Sequence, residues 1–251
     1  MKAGKRQNDD VLLVGYLLAK AAVIDAGYES EVAWQEYMTP AQVDDEVFLR
    51  EAAWVILSCG MRESVVRQRF TDYSSAFLNW KSASMILRAR RRCRTAALKV
   101  FNHVGKADAI LALAETLEEM GSQSLVAEVV SRGVDALIRF PYLGPATARH
   151  LMKNLGLPVS KPDRHLVRAA DWTGLGSCEA LCGFISAAIG DPVQVVDVVI
   201  WRSSTLDSAY WRRVGRAMRS DGYLGDPFPG LGRDGGSAGA GIRKSASNRP
   251  F

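Results

Sequence analysis

Apolar residues recur at helical spacing along most of this chain, and that pattern limits the folds open to it. No stretch keeps the alternation of apolar and polar residues that a half-buried strand requires, and turn dipeptides do not bracket short β-branched runs. The sequence therefore predicts an all-α fold. The predicted helices are Val11–Ile24, Val43–Leu57, Ser84–Val100, Ala107–Met120, Ser124–Val130, Val134–Phe140, Val193–Trp201 and Ser208–Met218.

One helix start is marked by the tetrapeptide Thr39-Pro40-Ala41-Gln42. Thr39 suits the N-cap, Pro40 suits the first helical position, and Gln42 completes a capping box. The pattern predicts a helix that continues through Val43–Leu57 and ends before Gly60.

The composition is that of a globular protein, with 48% hydrophobic and 24% charged residues. A length of 251 residues suits one domain or two small ones that share a core. The apolar run Val11–Ile24 is interrupted by Gly15 and Lys20 and is shorter than the roughly 18–20 residues that span a bilayer. We therefore expect a cytoplasmic protein with no membrane partner.

Cysteine usage indicates neither disulfides nor a metal site. The chain has four cysteines, and only Cys178 and Cys182 lie close together in the sequence. Two thiolates without further ligands make at most half of a metal site. We expect buried, reduced thiols and no metal or cofactor.

Five arginines occupy a stretch of only seven residues inside the predicted helix Ser84–Val100. Closely spaced guanidinium groups repel one another unless anions are near, and phosphates are obvious candidates. The alternative is a solvated face that lies close to acidic residues from elsewhere in the fold. The run comprises Arg88, Arg90, Arg91, Arg92 and Arg94.

The segment from Phe140 to Gly156 has the pattern of a short hairpin between two helices. A helix ends near Phe140, a tight turn contains Pro141 and Gly144, and Pro145 begins the next helix. The free backbone N–H groups at that start, beside a glycine without a side chain, would let a phosphate approach closely. The alternative is an ordinary connection between helices.

An aspartate follows this hairpin at the start of another predicted helix. Asp163 lies 19 residues after Gly144, between Lys161 and Arg164. The helix start and the two cations would keep its carboxylate ionised. The alternative is a favourable charge at a helix N-terminus with no other role.

The hairpin and the Asp-x-His segment together resemble the helix-hairpin-helix DNA glycosylases, the superfamily of endonuclease III. The segment Phe140–Ala148 is similar to the family's hairpin, Pro162–Leu166 to its catalytic aspartate segment, and Leu49–Val66 to its early helix and DNA-facing loop. The resemblance covers roughly Leu49 to Trp211. It implies that Asp163 stabilises the oxocarbenium-like sugar, or orients and deprotonates water, while a nucleotide is flipped out of the duplex.

Four departures from the family pattern affect this expectation. Tyr142 stands where the hairpin usually has its first glycine, so its ring is expected to reach DNA. Ala146 replaces the lysine that forms a Schiff base in bifunctional members, so lyase chemistry is not expected. The iron–sulfur cysteines are missing, and Gly60 replaces the glutamine wedge, which leaves Met61 or Arg62 to fill the vacated base stack.

The resemblance implies a two-lobed helical protein that binds double-stranded DNA as a monomer, associated with the nucleoid. We expect residues 1–48 to pack with the C-terminal lobe, 49–158 to form a central lobe with the hairpin motif at 134–156, 159–220 to form the aspartate helix and C-terminal lobe, and 221–251 to be a flexible tail. A cleft between the lobes would hold bent duplex.

Predicted DNA contacts are Tyr142, Leu143, Gly144, Ala146, Thr147, Met61, Arg62, Lys161, Arg164, His165, Arg90, Arg91 and Arg92. Aromatic side chains that could stack on an extruded base, or belong to the core, are Trp34, Trp54, Tyr73 and Trp80.

The expected activity is that of a monofunctional DNA N-glycosylase that excises a damaged or modified base and leaves an abasic site. The substrate is either a small lesion or a bulky hypermodified base of phage DNA, whose excision would be antiviral defence. Two alternatives are a DNA-binding protein without hydrolysis and a base-modifying enzyme with the same fold.

Overall fold

The computed structural model describes residues 2–220, with side chains from residue 8 onward. Every regular element in this part of the chain is a helix, and none is a strand. The predicted all-α class is therefore confirmed for these residues. The expected flexible tail, 221–251, lies outside them.

In chain order the α-helices of the described residues are α1 (Lys2–Val23), α2 (Glu29–Tyr37), α3 (Asp45–Ser58), α4 (Glu63–Ala76), α5 (Ala83–Arg88), α6 (Arg90–Val100), α7 (Val104–Met120), α8 (Ser122–Arg132), α9 (Val134–Leu137), α10 (Pro145–Asn154), α11 (Arg164–Thr173), α12 (Cys178–Ile189), α13 (Val193–Leu206) and α14 (Tyr210–Arg219). Short π- and 3₁₀-helical turns lie at Ile24–Tyr28, Pro40–Gln42 and Leu78–Trp80.

The helices form two compact units. Of the described residues, the first unit contains 2–36 and 162–220, and the second contains Tyr37–Lys161. The first change of unit thus comes after Glu36, whereas the sequence places it at residue 48. The reason is that Val43 and Phe48 are fully buried in the core of the second unit.

In the first unit, α1 packs against α13 and α14. Its inward face repeats at helical spacing through Leu12, Tyr16, Ala19 and Val23, all fully buried. α14 crosses α1 at Gly15, where a Cβ would meet the Val214 methyl groups at 3.1 Å. The missing side chain allows this close approach.

A buried ion pair joins α2 to α13 within the first unit. Arg202 makes bidentate hydrogen bonds of 2.7 Å with Glu31. The guanidinium lies 4.0 Å from the Tyr28 ring centre and 4.5 Å from that of Trp201. Both charges are thus partnered, and removing either side chain would leave an isolated buried charge.

The stretch Asn8–Tyr37 is long and apolar enough, by length and composition, to cross a membrane. The bent pair α11 and α12 passes the same test together. Part of Asn8–Tyr37 is buried in the first unit, since it contains the inward face of α1.

The second unit is built around α3, whose residues from Phe48 to Leu57 are all buried. An aromatic cluster extends this core, with Trp54 edge-on to Phe70 at 5.2 Å and Phe77 stacked on Trp80 at 5.1 Å. The unit also contains the hairpin predicted from the sequence.

Two predicted helices of this unit differ in the structure. The capping residues Thr39 and Gln42 are hydrogen-bonded, with the Thr39 N–H donating to Gln42 Oε1 at 2.9 Å, but they close only a 3₁₀ turn. α3 starts later because Asp44 is its N-cap and accepts from the Val47 N–H at 2.8 Å. The predicted helix Ser84–Val100 is broken at Ala89, because α5 packs against α7 and α6 packs also against α4.

Candidate functional site

The predicted hairpin is present in the second unit. After α9 the chain turns, with the Leu143 N–H donating to Phe140 O at 3.1 Å, and α10 begins at Pro145. The Thr147 hydroxyl lies 2.9 Å from Tyr142 O and so fastens the turn to the new helix. Leu143 is buried and anchors the turn to the core.

The start of α10 presents unused backbone donors. Gly144 is its N-cap and offers no side chain, and Pro145 has no N–H. Among the described residues, the N–H groups of Ala146 and Thr147 have no hydrogen-bond acceptor, whereas the Ala148 N–H bonds to Gly144 O. Gly144 and Ala146 are exposed, so an anion could reach these donors and the positive helix end.

Tyr142 holds the turn in an unusual backbone conformation. Its φ is +68°, in the left-handed region that favours glycine. Its ring lies edge-on to His103 at 5.7 Å and its hydroxyl lies over Gly105, both near the start of α7. The expectation of a ring that reaches out to DNA is corrected, because the half-buried ring packs back onto α7.

The loop after α3 contains the two predicted wedge residues. Met61 is partly buried against the core of the second unit, so it is not a free wedge. Arg62 is exposed and precedes the first residue of α4. Of the two candidates, Arg62 alone has a side chain placed to reach a ligand.

Asp163 is the N-cap of α11 in the first unit. Its Oδ1 accepts hydrogen bonds from the backbone N–H groups of His165 at 2.8 Å and Leu166 at 3.1 Å. Its Oδ2 has no hydrogen bond among the described residues, and the side chain is half-exposed. One carboxylate oxygen is thus held by the helix and the other is available.

The cations around Asp163 are placed differently from one another. Arg164 is exposed, and its Nε donates to Nε2 of His165 at 3.3 Å. Lys161 is half-buried. The side chain next to the aspartate in the sequence is thus turned to a histidine and not to the carboxylate.

A cysteine near Asp163 is not reactive. Burial first, and then the nearby carboxylates of Glu179, Asp197 and Asp163, together raise the pKa of Cys178 to about 11. The thiol is therefore protonated at neutral pH. Within residues 8–220, no group of three or more His, Cys, Asp or Glu side chains could hold a metal ion.

Four of the five arginines of the run divide into two sets, and the fifth, Arg88, is exposed at the end of α5. Arg90 forms an ion pair with Glu115, and Arg94 forms a bidentate pair with Asp108, which lowers the pKa of that carboxyl through the hydrogen bond. Arg91 and Arg92 are exposed and have no carboxylate partner in the described part of the chain. A phosphate contact at Arg90 is thus less favourable than the sequence predicted, because the guanidinium of Arg90 is already paired with Glu115.

Most of the predicted base-stacking residues belong to the core. Trp54, Tyr73 and Trp80 are at most 2% exposed, and Trp80 Nε1 donates to Ser74 Oγ at 2.9 Å. None of the three has a ring face open to a ligand, so their candidacy as a base pocket is corrected. Trp34, on α2 of the first unit, is half-buried.

The structure adds a residue that the sequence gave no signal for. Lys106 is buried beneath the start of α7, where its ammonium group lies 5.9 Å from the Tyr142 ring centre. No spacing or composition marks it, because its neighbours come from segments more than 30 residues away.

Comparisons of the chain with family models, with curated proteins and with solved structures find no match.

Proposed function

We propose that this protein is a monofunctional DNA N-glycosylase of a two-lobed helix-hairpin-helix type. The observation that carries the proposal is Asp163, whose Oδ1 is fixed by two backbone N–H groups while Oδ2 is available. A carboxylate held in this way needs no rearrangement to face a developing positive charge, which is how fixed charges lower an activation barrier.

The hairpin supplies the binding half of the proposal. The free N–H groups of Ala146 and Thr147, at the positive end of α10, would hold a phosphate of the DNA strand. Exposed Arg91, Arg92 and Arg62 would neutralise further phosphates. These contacts are to the DNA backbone and are independent of base sequence. Such binding suits an enzyme that must search DNA for its target base before it extrudes that base.

The reaction is hydrolysis of the N-glycosidic bond. Asp163 stabilises the oxocarbenium-like sugar as the base departs, or orients and deprotonates the water that attacks the anomeric carbon. No lysine stands at position 146, so the amine that attacks that carbon in bifunctional members of the family is missing from that position. The product is an intact strand with an abasic site.

We propose a damaged or modified base as the substrate, and one feature of the sequence favours a bulky modified base. Gly60 leaves the loop after α3 without an amide that would pair with the orphaned base, so recognition rests on the extruded base itself. Hypermodified phage bases fit this requirement, and their excision would act as antiviral defence. The competing substrate is a small lesion of the kind that housekeeping repair removes.

The test measures base release from phage DNA with hypermodified bases, beside oligonucleotides with uracil, alkylpurines or oxidised purines. Release from phage DNA alone supports the defence role. Efficient release of an ordinary lesion with no action on phage DNA overturns that role and keeps the glycosylase. DNA binding without release from any substrate supports a binding protein, and altered bases still attached to sugar support a base-modifying enzyme.

A further inference from the structure

Lys106, in the first turn of α7, is a buried lysine whose ammonium group caps the C-terminal end of α3. It is 2% exposed, and its Nζ donates to Leu57 O at 2.7 Å and Cys59 O at 2.6 Å. Both carbonyls belong to the end of α3, where helical carbonyls lack partners within the helix. A cation is favoured at that position by the helix dipole.

This lysine has no acidic partner. Among residues 8–220 no carboxylate lies within ion-pair distance of its ammonium group, and burial lowers its pKa. Lysines are rarely buried without such a partner, because removing the charge from water is unfavourable. An apolar side chain would fill the same space without the free-energy cost of removing a charge from water. We therefore expect the ammonium group of Lys106 to have a function of its own.

The surroundings of Lys106 indicate the role. Its Nζ donates to the carbonyl of Cys59, which begins the loop that leads to exposed Arg62. The same Nζ lies 5.9 Å from the ring centre of Tyr142, in the left-handed turn of the hairpin. The two segments predicted to contact DNA thus share one buried cation.

We propose that Lys106 is a positioning residue that fixes the loop Cys59–Arg62 and the hairpin turn Phe140–Gly144 relative to each other, so that both contact one DNA backbone together. This rests on the proposed DNA-binding function. The carbonyl hydrogen bonds set the position of the loop, and the cation–ring contact sets that of the turn.

The experiment compares K106M, K106R and I110A with the parent protein. Met keeps the length of the side chain without charge, and Arg keeps charge and donors. Ile110, one turn further along α7 and 1% exposed, is a matched control, because its truncation destabilises the same helix without removing a hydrogen bond to Leu57 O or Cys59 O. The readouts are amide hydrogen exchange in both segments and the affinity for a duplex that carries a non-cleavable abasic-site analogue.

In K106M we expect faster exchange in both segments and an affinity lower by about tenfold to a hundredfold, since hydrogen bonds to a charged group are lost. K106R should regain most of that affinity, and I110A should leave exchange in the two segments close to that of the parent.

Exchange that rises in one segment alone, or in neither, overturns the proposal, as does an affinity loss no larger in K106M than in I110A. If the parent protein binds no DNA, the proposed function fails, while exchange still decides whether Lys106 couples the two segments. If K106M does not fold, the same measurements on K106Q decide in its place.

Discussion

The hydroxyl of Tyr142 occupies the space that a side chain on Gly105 would need. The two residues are far apart in the sequence, and their contact explains how a tyrosine is accommodated at a turn position with φ +68°. The ring packs onto the start of α7, where Gly105 leaves room for it. The hairpin is thereby fixed to α7 by a side chain.

Replacing Gly105 with alanine tests this contact. We expect G105A to lower the free energy of unfolding by about 1–3 kcal/mol through overpacking, although alanine favours a helix by about 1 kcal/mol elsewhere. Y142G in the same chain removes the clash, so the double variant should be more stable than the sum of the single changes predicts. Urea denaturation of the four proteins gives the interaction energy. Additive effects would show that the two residues do not interact.

Asp163 has a structural role as N-cap that is separable from its proposed chemical role. We expect the urea concentration at the midpoint of unfolding to be nearly the same for D163N as for the parent, because asparagine caps a helix as well as aspartate does. D163A should lose about 0.5–2 kcal/mol of stability, since the N–H groups of His165 and Leu166 lose their acceptor. Equal stability of D163A and the parent would contradict the capping geometry.

The arginine run should act on DNA through its unpaired members. We expect R91Q/R92Q to weaken binding to every duplex and to reduce the slope of log K against log salt by roughly 0.9 for each lost phosphate contact. R90Q/R94Q removes the same charge from residues that pair with Glu115 and Asp108, so it should change the slope less. The measurement is a salt titration of DNA binding by both variants. Equal slopes in the two would mean that paired and unpaired arginines contribute alike to DNA binding, contrary to this prediction.

The residue at position 146 bears on the products of the reaction. With alanine there, borohydride should trap no covalent enzyme–DNA adduct, and product strands should stay intact until alkali is added. Lys153, the lysine that α10 does contain, is buried at the far end of the helix from position 146. Trapping at good yield would show that another amine of the chain attacks the sugar.

Local signals in the sequence were sufficient for the helical class, the hairpin and the helix start near Asp163. Each depends on residues within a few positions of one another, as in the Pro145 start of α10. Contacts between distant segments were not predictable. The break at Ala89 reflects packing against two different helices, and Tyr142 turns inward because Gly105 leaves room for it.

Three of the four candidates for a base pocket lie in the core, and the sequence could not show this for a related reason. Trp54, Tyr73 and Trp80 have the residue types of a stacking site, but the same rings also fill a core, and no local pattern separates these uses. α4 was missed although Val66, Phe70 and Tyr73 are buried at helical spacing, because its polar residues outnumber them.

The central claim is that Asp163 takes part in breaking an N-glycosidic bond. The most direct measurement is the formation of alkali-labile abasic sites in modified DNA by the parent protein and by D163N, with both shown to fold and to bind the same duplex. We predict that the parent forms abasic sites in at least one substrate. With D163N the rate should be lower by a factor of at least about 10²–10³, as when a fixed group that stabilises a transition state is lost. Rates within a few-fold of each other would contradict the claim.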